Sequence, residues 1–570
     1  MSTTTSPRRT IPLVGTPPFT TAVYSLDTRD RSRLSYEKAR SVGLAYDLSF
    51  HDISSLSQKF WDLHFDPVVL LDGSAFTLLT IHYNLCAGTI ASYASRRPEL
   101  RLLVEDLLRF RTLGQYMLTE VGHGLDAHNL ETTATLLPSG EFLLNSPTPQ
   151  SAKFMPPTVP AGTPCIAVVF ARLLVNKEDF GIHPFVVPLN DGFQMCTGVQ
   201  ARQLPAREGP NPVNHAITTF RNVRLPRTSL LGALEKPRSF HNHVLQITSR
   251  VNVGTMALSC LGIPFMQCYA TIGTMYSLRR TTGPPDHPEP ILQFRTQQLP
   301  LLTVAAQVSV LSAFQRWATN AFCTMKDIRI RRGIAAIAKA IAVQHSQEAC
   351  LAVSERCGAQ GLFAHNQMTR LHAEMRGLAI AEGDILGLSI RLATELLLGR
   401  YVMPAPENPT SLLALHEAGI FEEARDIITS VPHHRSVEVN RLILPRCQAL
   451  VEAIGHRMAY DAAVAAGVKP CLIDLYVANV VKLDPAWYSE NTRLGRRAQA
   501  EMETKALDET LPLLGSLVRE MDVGPYISAP IVSDERWSDF VASLEVFEGT
   551  AKVGLPTDDT PAFEMVRAQL

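Results

Sequence analysis

Apolar positions recur at helical spacing through most of the chain. Leu102, Leu103, Leu107 and Leu108 stand between charged residues, the three-and-four spacing of a helix with one buried face. This character runs over residues 34–118. A second stripe carries Leu301, Val304, Ala305 and Val308, and a third carries Ile334, Ile337 and Ile341. Segments of this length with few internal prolines predict a bundle of long helices. Between these regions the pattern changes. Residues 131–137 read E-T-T-A-T-L-L, Pro138-Ser139-Gly140 follows, and residues 142–145 continue, which predicts a hairpin of β-favouring residues around a turn. Residues 165–174 and 185–188 are further apolar strand candidates, and residues 220–226 (F-R-N-V-R-L-P) predict a last short strand.

The predicted order is α, β, α, α, a mostly helical fold with a central β domain. A flexible arm is expected over residues 1–20, an N-terminal helical domain over 21–118 and the β domain over 119–235. A helical bundle follows over 236–402. The proline-containing break Met403-Pro404-Ala405-Pro406 then opens a C-terminal helical domain over 403–570.

Composition narrows the function classes. The 570 residues are 46% hydrophobic and 19% charged, with 53 Lys+Arg against 54 Asp+Glu. A net charge of −1 leaves no global basic field, so no nucleic acid is expected as a partner. No stretch approaches the roughly 20 apolar residues of a membrane helix, so no membrane span is expected. Residues 1–9 are polar and lack the apolar centre of a secretory signal, so the chain is not expected to be secreted. The ten cysteines form no C-x-x-C pair, which fits a reducing compartment. His433-His434 lacks a ligand-spaced partner, so no metal is expected. The C-terminal Ala568-Gln569-Leu570 loosely resembles the peroxisomal S-K-L type of address. A peroxisomal or cytoplasmic location is expected.

Four segments carry candidate chemistry. T-E-V-G-H-G-L-D over residues 119–126 places two close glycines where the helical region meets the β region, which lets backbone approach a ligand. The second is the strand at 220–226. Arg279-Arg280, followed by I-L-Q-F-R-T-Q-Q over 291–298, offers adjacent cations before a helix, suited to a diphosphate. C-G-A-Q-G over 357–361 is followed by A-E-G-D over 381–384. A glutamate in an apolar setting acquires a raised pKa and can serve as a base. Each segment alone is more commonly a turn, a solvated basic pair or a helix-terminal charge.

In this order and at these spacings, the segments resemble the acyl-CoA oxidase branch of the acyl-CoA dehydrogenase/oxidase flavoprotein superfamily. The resemblance covers most of residues 35–400 and is densest over 108–133. It implies FAD bound between the β domain and the bundle of a homodimer. It places the Thr119 hydroxyl against the flavin ring, with Gly122 and Gly124 in the same connection. It assigns Arg279 and Phe294 to the FAD diphosphate and adenine region, with Gln298 one turn beyond. Gly358 and Gly361 form the turn that approaches FAD from the partner subunit. Glu382 becomes the base that removes the α-proton of an acyl-CoA or other acyl thioester while flavin N5 takes the β-hydride. The base's own N–H helps to hold the thioester oxygen, and O2 reoxidises the flavin to give H2O2.

The chain departs from the family pattern at several positions. Ile385-Leu386 follows the acidic loop where the family has Asn-Thr, Arg295 replaces Gln, and Ala381 replaces Phe. Residues 153–158 read K-F-M-P-P-T in place of a glycine-bearing segment. These departures leave two alternatives: a biosynthetic dehydrogenase-like enzyme acting on a polyketide or carrier-protein thioester, and a non-catalytic scaffold with weak or no FAD.

Overall fold

The computed structural model describes residues 8–21, 23 and 26–551; the C-terminal Ala568-Gln569-Leu570 lies outside them. An N-terminal group of helices includes Thr28–Tyr46 and Gly73–Leu79 and ends with Glu99–Leu108. The expectation of helix to residue 118 fails at its end. Strand β1 (Leu113–Met117) begins the sheet domain six residues earlier than expected, paired in parallel with β5 (Cys165–Val175). Gly114 allows this, because a Cβ there would sit 2.7 Å from Cys86 Sγ. β1 thus packs directly on the helical domain.

The hairpin forms as β2 (Thr133–Leu136) and β3 (Phe142–Asn145). After the short β4 (Lys153–Phe154), β5 pairs antiparallel with β6 (Glu178–Asn190) over almost its whole length. The expected single strand at 220–226 is divided. β7 (Val199–Gln203) pairs with β8 (Ala216–Phe220) in one sheet, and β9 (Val223–Leu225) joins β3 in the other. Asn222, with φ of +51°, makes the break between them. Phe142, Phe185 and Val187 fill a core belonging to the β domain alone.

Beyond the sheets, Ser249–Cys260 and Gly262–Arg279 run on as one long helix, packed with Arg295–Thr324 and Ile328–Arg356. The Ser249–Arg279 and Arg295–Thr324 helices are long and apolar enough to cross a membrane, contrary to the sequence reading. Their most apolar windows are 94% and 72% buried inside the protein, so they are accounted for as core helices. Met368–Ile380 and Ile385–Leu397 complete the region, and the C-terminal helix Cys447–Ala465 packs on both Arg295–Thr324 and Ile385–Leu397.

The described part of the expected arm is docked. Thr10 is fully buried and donates to Asp66 at 2.8 Å, with the Tyr526 hydroxyl also at 2.8 Å. Arg8 meets the carbonyls of Asp522 and Met521. The start of the described chain is therefore fastened to residues 521–526 of the C-terminal region.

One interaction fixes the entry to the β domain. Lys153 and Glu120 are both fully buried and meet at 2.9 Å. Lys153 also donates to Phe170 O at 2.7 Å and to Leu118 O at 3.2 Å. Glu120 accepts from the N–H groups of Glu131 and Thr132. Burial pushes the lysine down to about 8 while Glu120 holds it up. Removing one member of a buried pair strands the other charge, at a cost of about 3–5 kcal/mol. Lys153→Met is expected to lower unfolding stability by about that amount, read as a fall in the denaturant midpoint. An unchanged midpoint would show that this pair does not anchor the connection.

Candidate functional site

Glu382 lies in the two-helix corner between Met368–Ile380 and Ile385–Leu397. Its backbone is left-handed, with φ of +51°, and Gly383 follows at +104°. A β-carbon makes that conformation uncommon outside asparagine and aspartate, so the surroundings must enforce it. They do so with three hydrogen bonds to consecutive carbonyls. Thr255 Oγ1 donates to Glu382 O at 2.6 Å. The fully buried Lys339 ammonium donates to Ala381 O and, at 2.6 Å, to Gly383 O. Asp384 then caps the next helix by accepting from Gly387 N at 2.9 Å.

The carboxylate turns inward onto the Ser249–Cys260 helix. A Cβ on Gly254 would sit 1.2 Å from Glu382 Oε2, so only glycine leaves room for the acid. Asn84 Nδ2 donates to the same oxygen at 3.0 Å. Asn84 comes from a π-helical stretch, Thr80–Ala87, a local widening that recurs at functional sites. Asn84 Nδ2 also reaches Arg250 O at 3.1 Å, and Arg250 Nε returns a bond to Asn84 O at 3.1 Å. Gly88 makes space for that guanidinium, as a Cβ there would lie 2.3 Å from it. Burial raises the Glu382 carboxyl to about 7, against the opposing pull of Lys339, Asn84 and Arg250. The Tyr116 hydroxyl is buried without a partner, and both burial and the Glu382 charge raise its pKa.

Thr119 follows β1, two residues beyond its end. Its carbonyl accepts from Phe154 N at 3.0 Å. Gly122 is pinned, its N–H donating to Gln150 O at 2.9 Å, whereas Gly124 has open space around it. Leu125 is 78% exposed and leans toward the Glu382 corner: a methyl on Gly387 would lie 3.3 Å from Leu125 Cδ1. Thr119, Gly122 and Gly124 thus share one connection, and Leu125 beside them is its point of contact with the Glu382–Gly387 corner.

The other expected residues stand elsewhere. Arg279 ends the long helix that carries Gly254, about 37 Å away at 1.5 Å per residue. Gln297, at the start of the next helix, ties this end together by donating to Ser277 Oγ at 2.8 Å and to Arg356 O at 2.9 Å. Gly358 and Gly361 follow Arg356 in a short turn. Gly358 is at φ +57° with nothing nearby, while Gly361 is structural, since a Cβ there would meet Ser354 O at 2.0 Å. Phe294 is 46% exposed. Gln298 bonds its own segment, at Gln293 O. Arg279 does not present a free cation: Ile531 O takes its Nη1 at 2.7 Å and Asp534 its Nε. Arg295 likewise meets Asp508. Arg280, beside Arg279, is exposed. At the departures, Ile385 packs against the core and Leu386 is exposed.

Asn84, Arg250, Gly254, Thr255 and Lys339 were absent from the sequence reading. Only Lys339 gave a signal there, as the sole charge in the apolar run 334–343 (I-A-A-I-A-K-A-I-A-V).

Comparison with known proteins adds an independent line. The family model "Acyl-CoA oxidase, C-alpha1 domain" matches residues 257–397. The chain is 24% identical over 379 residues to peroxisomal acyl-coenzyme A oxidase 2 of Arabidopsis thaliana, covering 61% of this chain and 54% of that protein. It is 30% identical over 250 residues to human peroxisomal acyl-coenzyme A oxidase 1, covering 41% of this chain and 38% of that protein. The chain thus spans about half or less of these relatives' lengths. Among solved structures, acyl-CoA oxidase 3 of Yarrowia lipolytica aligns with a TM-score of 0.78 at 17% identity, over 94% of this chain and 87% of that one. Acyl-CoA oxidase-1 of Caenorhabditis elegans, solved with FAD and ATP, aligns with a TM-score of 0.76 at 17% identity, over 94% and 90%. At those identities the structures establish the shared fold. With the matched family model and the curated relatives, they point to the acyl-CoA oxidase family.

Proposed function

We propose that this chain binds FAD and desaturates an acyl thioester between Cα and Cβ, with Glu382 as the base. The observation that carries this reading is a carboxylate raised to about 7 on a backbone held at φ +51°, with a glycine opposite to admit it. A base poised near neutrality suits removal of a weakly acidic α-proton, and general-base catalysis typically contributes about 10²–10⁴-fold. Asn84 orients the accepting oxygen. The Glu382 N–H meets no acceptor among the described residues and is available to the thioester oxygen as charge gathers there.

The chain's surfaces fit FAD at both stations. Gly124 and Gly358 each lie against open space, and Leu125, Phe154 and Phe294 present exposed apolar surface nearby. FAD supplies the hydride acceptor when bound. Thr119 and the Gly122–Gly124 connection would face its ring. The Gly358 turn and Phe294 would hold its adenine end, and Arg280 is the cation free to meet its diphosphate. A dinucleotide is too short to reach both stations within one chain, which supports a homodimer sharing each cofactor. Reoxidation by O2 and peroxisomal placement follow the named relatives. The scaffold alternative is disfavoured, because Gly254 and the left-handed Glu382 preserve room and strain that a non-catalytic protein does not need.

Three outcomes test this reading. The purified protein should be yellow or take up FAD, and an acyl thioester should bleach it anaerobically; Glu382→Gln should abolish the bleaching. Because the base acts in its charged form, bleaching should rise with pH through about 7 and be about tenfold slower near pH 6 than at its plateau. Gly254→Ala should displace the carboxylate and slow bleaching by about 10²-fold, while Gly495→Ala, with open space around it and outside both stations, should stay close to wild type. Equal effects of the two glycine substitutions would remove Gly254 from the site.

A further inference from the structure

A lysine with no exposed surface normally meets a carboxylate. The hydrogen-bond partners of Lys339 are instead two backbone carbonyls, Ala381 O and Gly383 O, on either side of Glu382. Thr255 takes the carbonyl between them. Both peptides flanking this arrangement are trans, and in a planar trans peptide the C=O and the following N–H point in opposite directions. Drawing Ala381 O onto the Ile328–Arg356 helix therefore turns the Glu382 N–H away from that helix. That N–H has no acceptor among the described residues.

We infer that Lys339 is a positioning residue for the proposed reaction: by clamping Ala381 O and Gly383 O, it aims the Glu382 N–H at the thioester carbonyl oxygen. The inference rests on the desaturation reading and adds to it. It separates two jobs in one loop. Asn84 and Gly254 place the carboxylate that takes the proton, whereas Lys339 places the donor that receives the oxygen. Burial pulls the Lys339 amine down to about 7 while Glu382 and Asp384 hold it up; in its protonated form its charge strengthens both carbonyl bonds and adds positive potential beneath the site where the thioester oxygen gains negative charge.

The test compares ligands that differ only at that oxygen. FAD-loaded wild type, Lys339→Met and Lys339→Arg are titrated with an enoyl thioester and with the matched thioether, in which CH2 replaces the carbonyl. Wild type should prefer the thioester by about tenfold or more. Lys339→Met should lose that preference while its thioether affinity stays within about twofold of wild type, and Lys339→Arg should recover part of it. A packing role alone would weaken both ligands together. If Lys339→Met does not fold, Lys339→Gln, which is too short to bridge both carbonyls, decides the same question. A Lys339→Met or Lys339→Gln variant that keeps the wild-type preference overturns the inference, as does a wild type that is bleached by acyl thioesters yet shows no preference. A wild type that no acyl thioester bleaches overturns the desaturation reading, and this inference with it.

Discussion

Drawing one carboxylate part-way out of water is the constraint that the groups around it answer. A charged group loses solvation when buried, and its pKa rises until neighbours compensate. Glu382 sits near 7 because compensation is partial: Lys339, Asn84 and Arg250 each pull its pKa down without forming a tight ion pair. A direct salt bridge would return it to the ordinary carboxylate range and leave a weak base. Full isolation would keep it protonated. The elements that set this balance come from far apart in sequence. Asn84 stands on a widened helical turn of the N-terminal region, Arg250 and Gly254 on the first long helix, and Lys339 on the third. Helices of some thirty residues are a means of holding such groups in register, since each is anchored along its length by its neighbours.

Much of the fold was legible because long amphipathic helices write their period into the sequence. The errors have physical causes. Residues 108–118 were read as helix because L-R-F-R-T-L-G-Q-Y-M-L spaces its apolar residues ambiguously; parallel pairing of β1 with β5, a long-range contact, decides the matter. The strand at 220–226 was divided because Asn222 adopts a left-handed conformation that composition alone does not require. The two most apolar helices were not expected to be long and apolar enough for a membrane because scattered polar residues interrupt them; Gln307 and Gln315 are buried within one.

The site was legible in a different way. Glu382, Thr119 and the glycines stood out through motif order, which encodes the resemblance and not the geometry. Single residues on apolar helices gave no such signal, since a glycine such as Gly254 is readable as a space for a carboxylate only when the carboxylate is in view. Lys339 is the instructive exception. A lone cation in an alanine and isoleucine run has to be compensated once the helix is buried, so the sequence already implied a buried acceptor, though not which one.

The two stations 25 residues apart along one helix carry a structural consequence. The rigid Ser249–Arg279 helix separates the Glu382 pocket at Gly254 from the Arg279 end by about 37 Å. No local loop movement shortens that path, because the Arg356 end of the third helix is bonded to the same corner through Gln297. The C-terminal region adds to this fixity by supplying Asp508 to Arg295 and both Asp534 and Ile531 O to Arg279. The cations that motif matching assigned to a diphosphate are thereby partly spent inside the chain, and Arg280 is left facing outward. Under the proposed function, Arg280, the Gly358 turn and the exposed ring of Phe294 are what this corner offers a cofactor. The same proposal pairs that corner with the Glu382 of a second copy, because one chain holds the two stations too far apart.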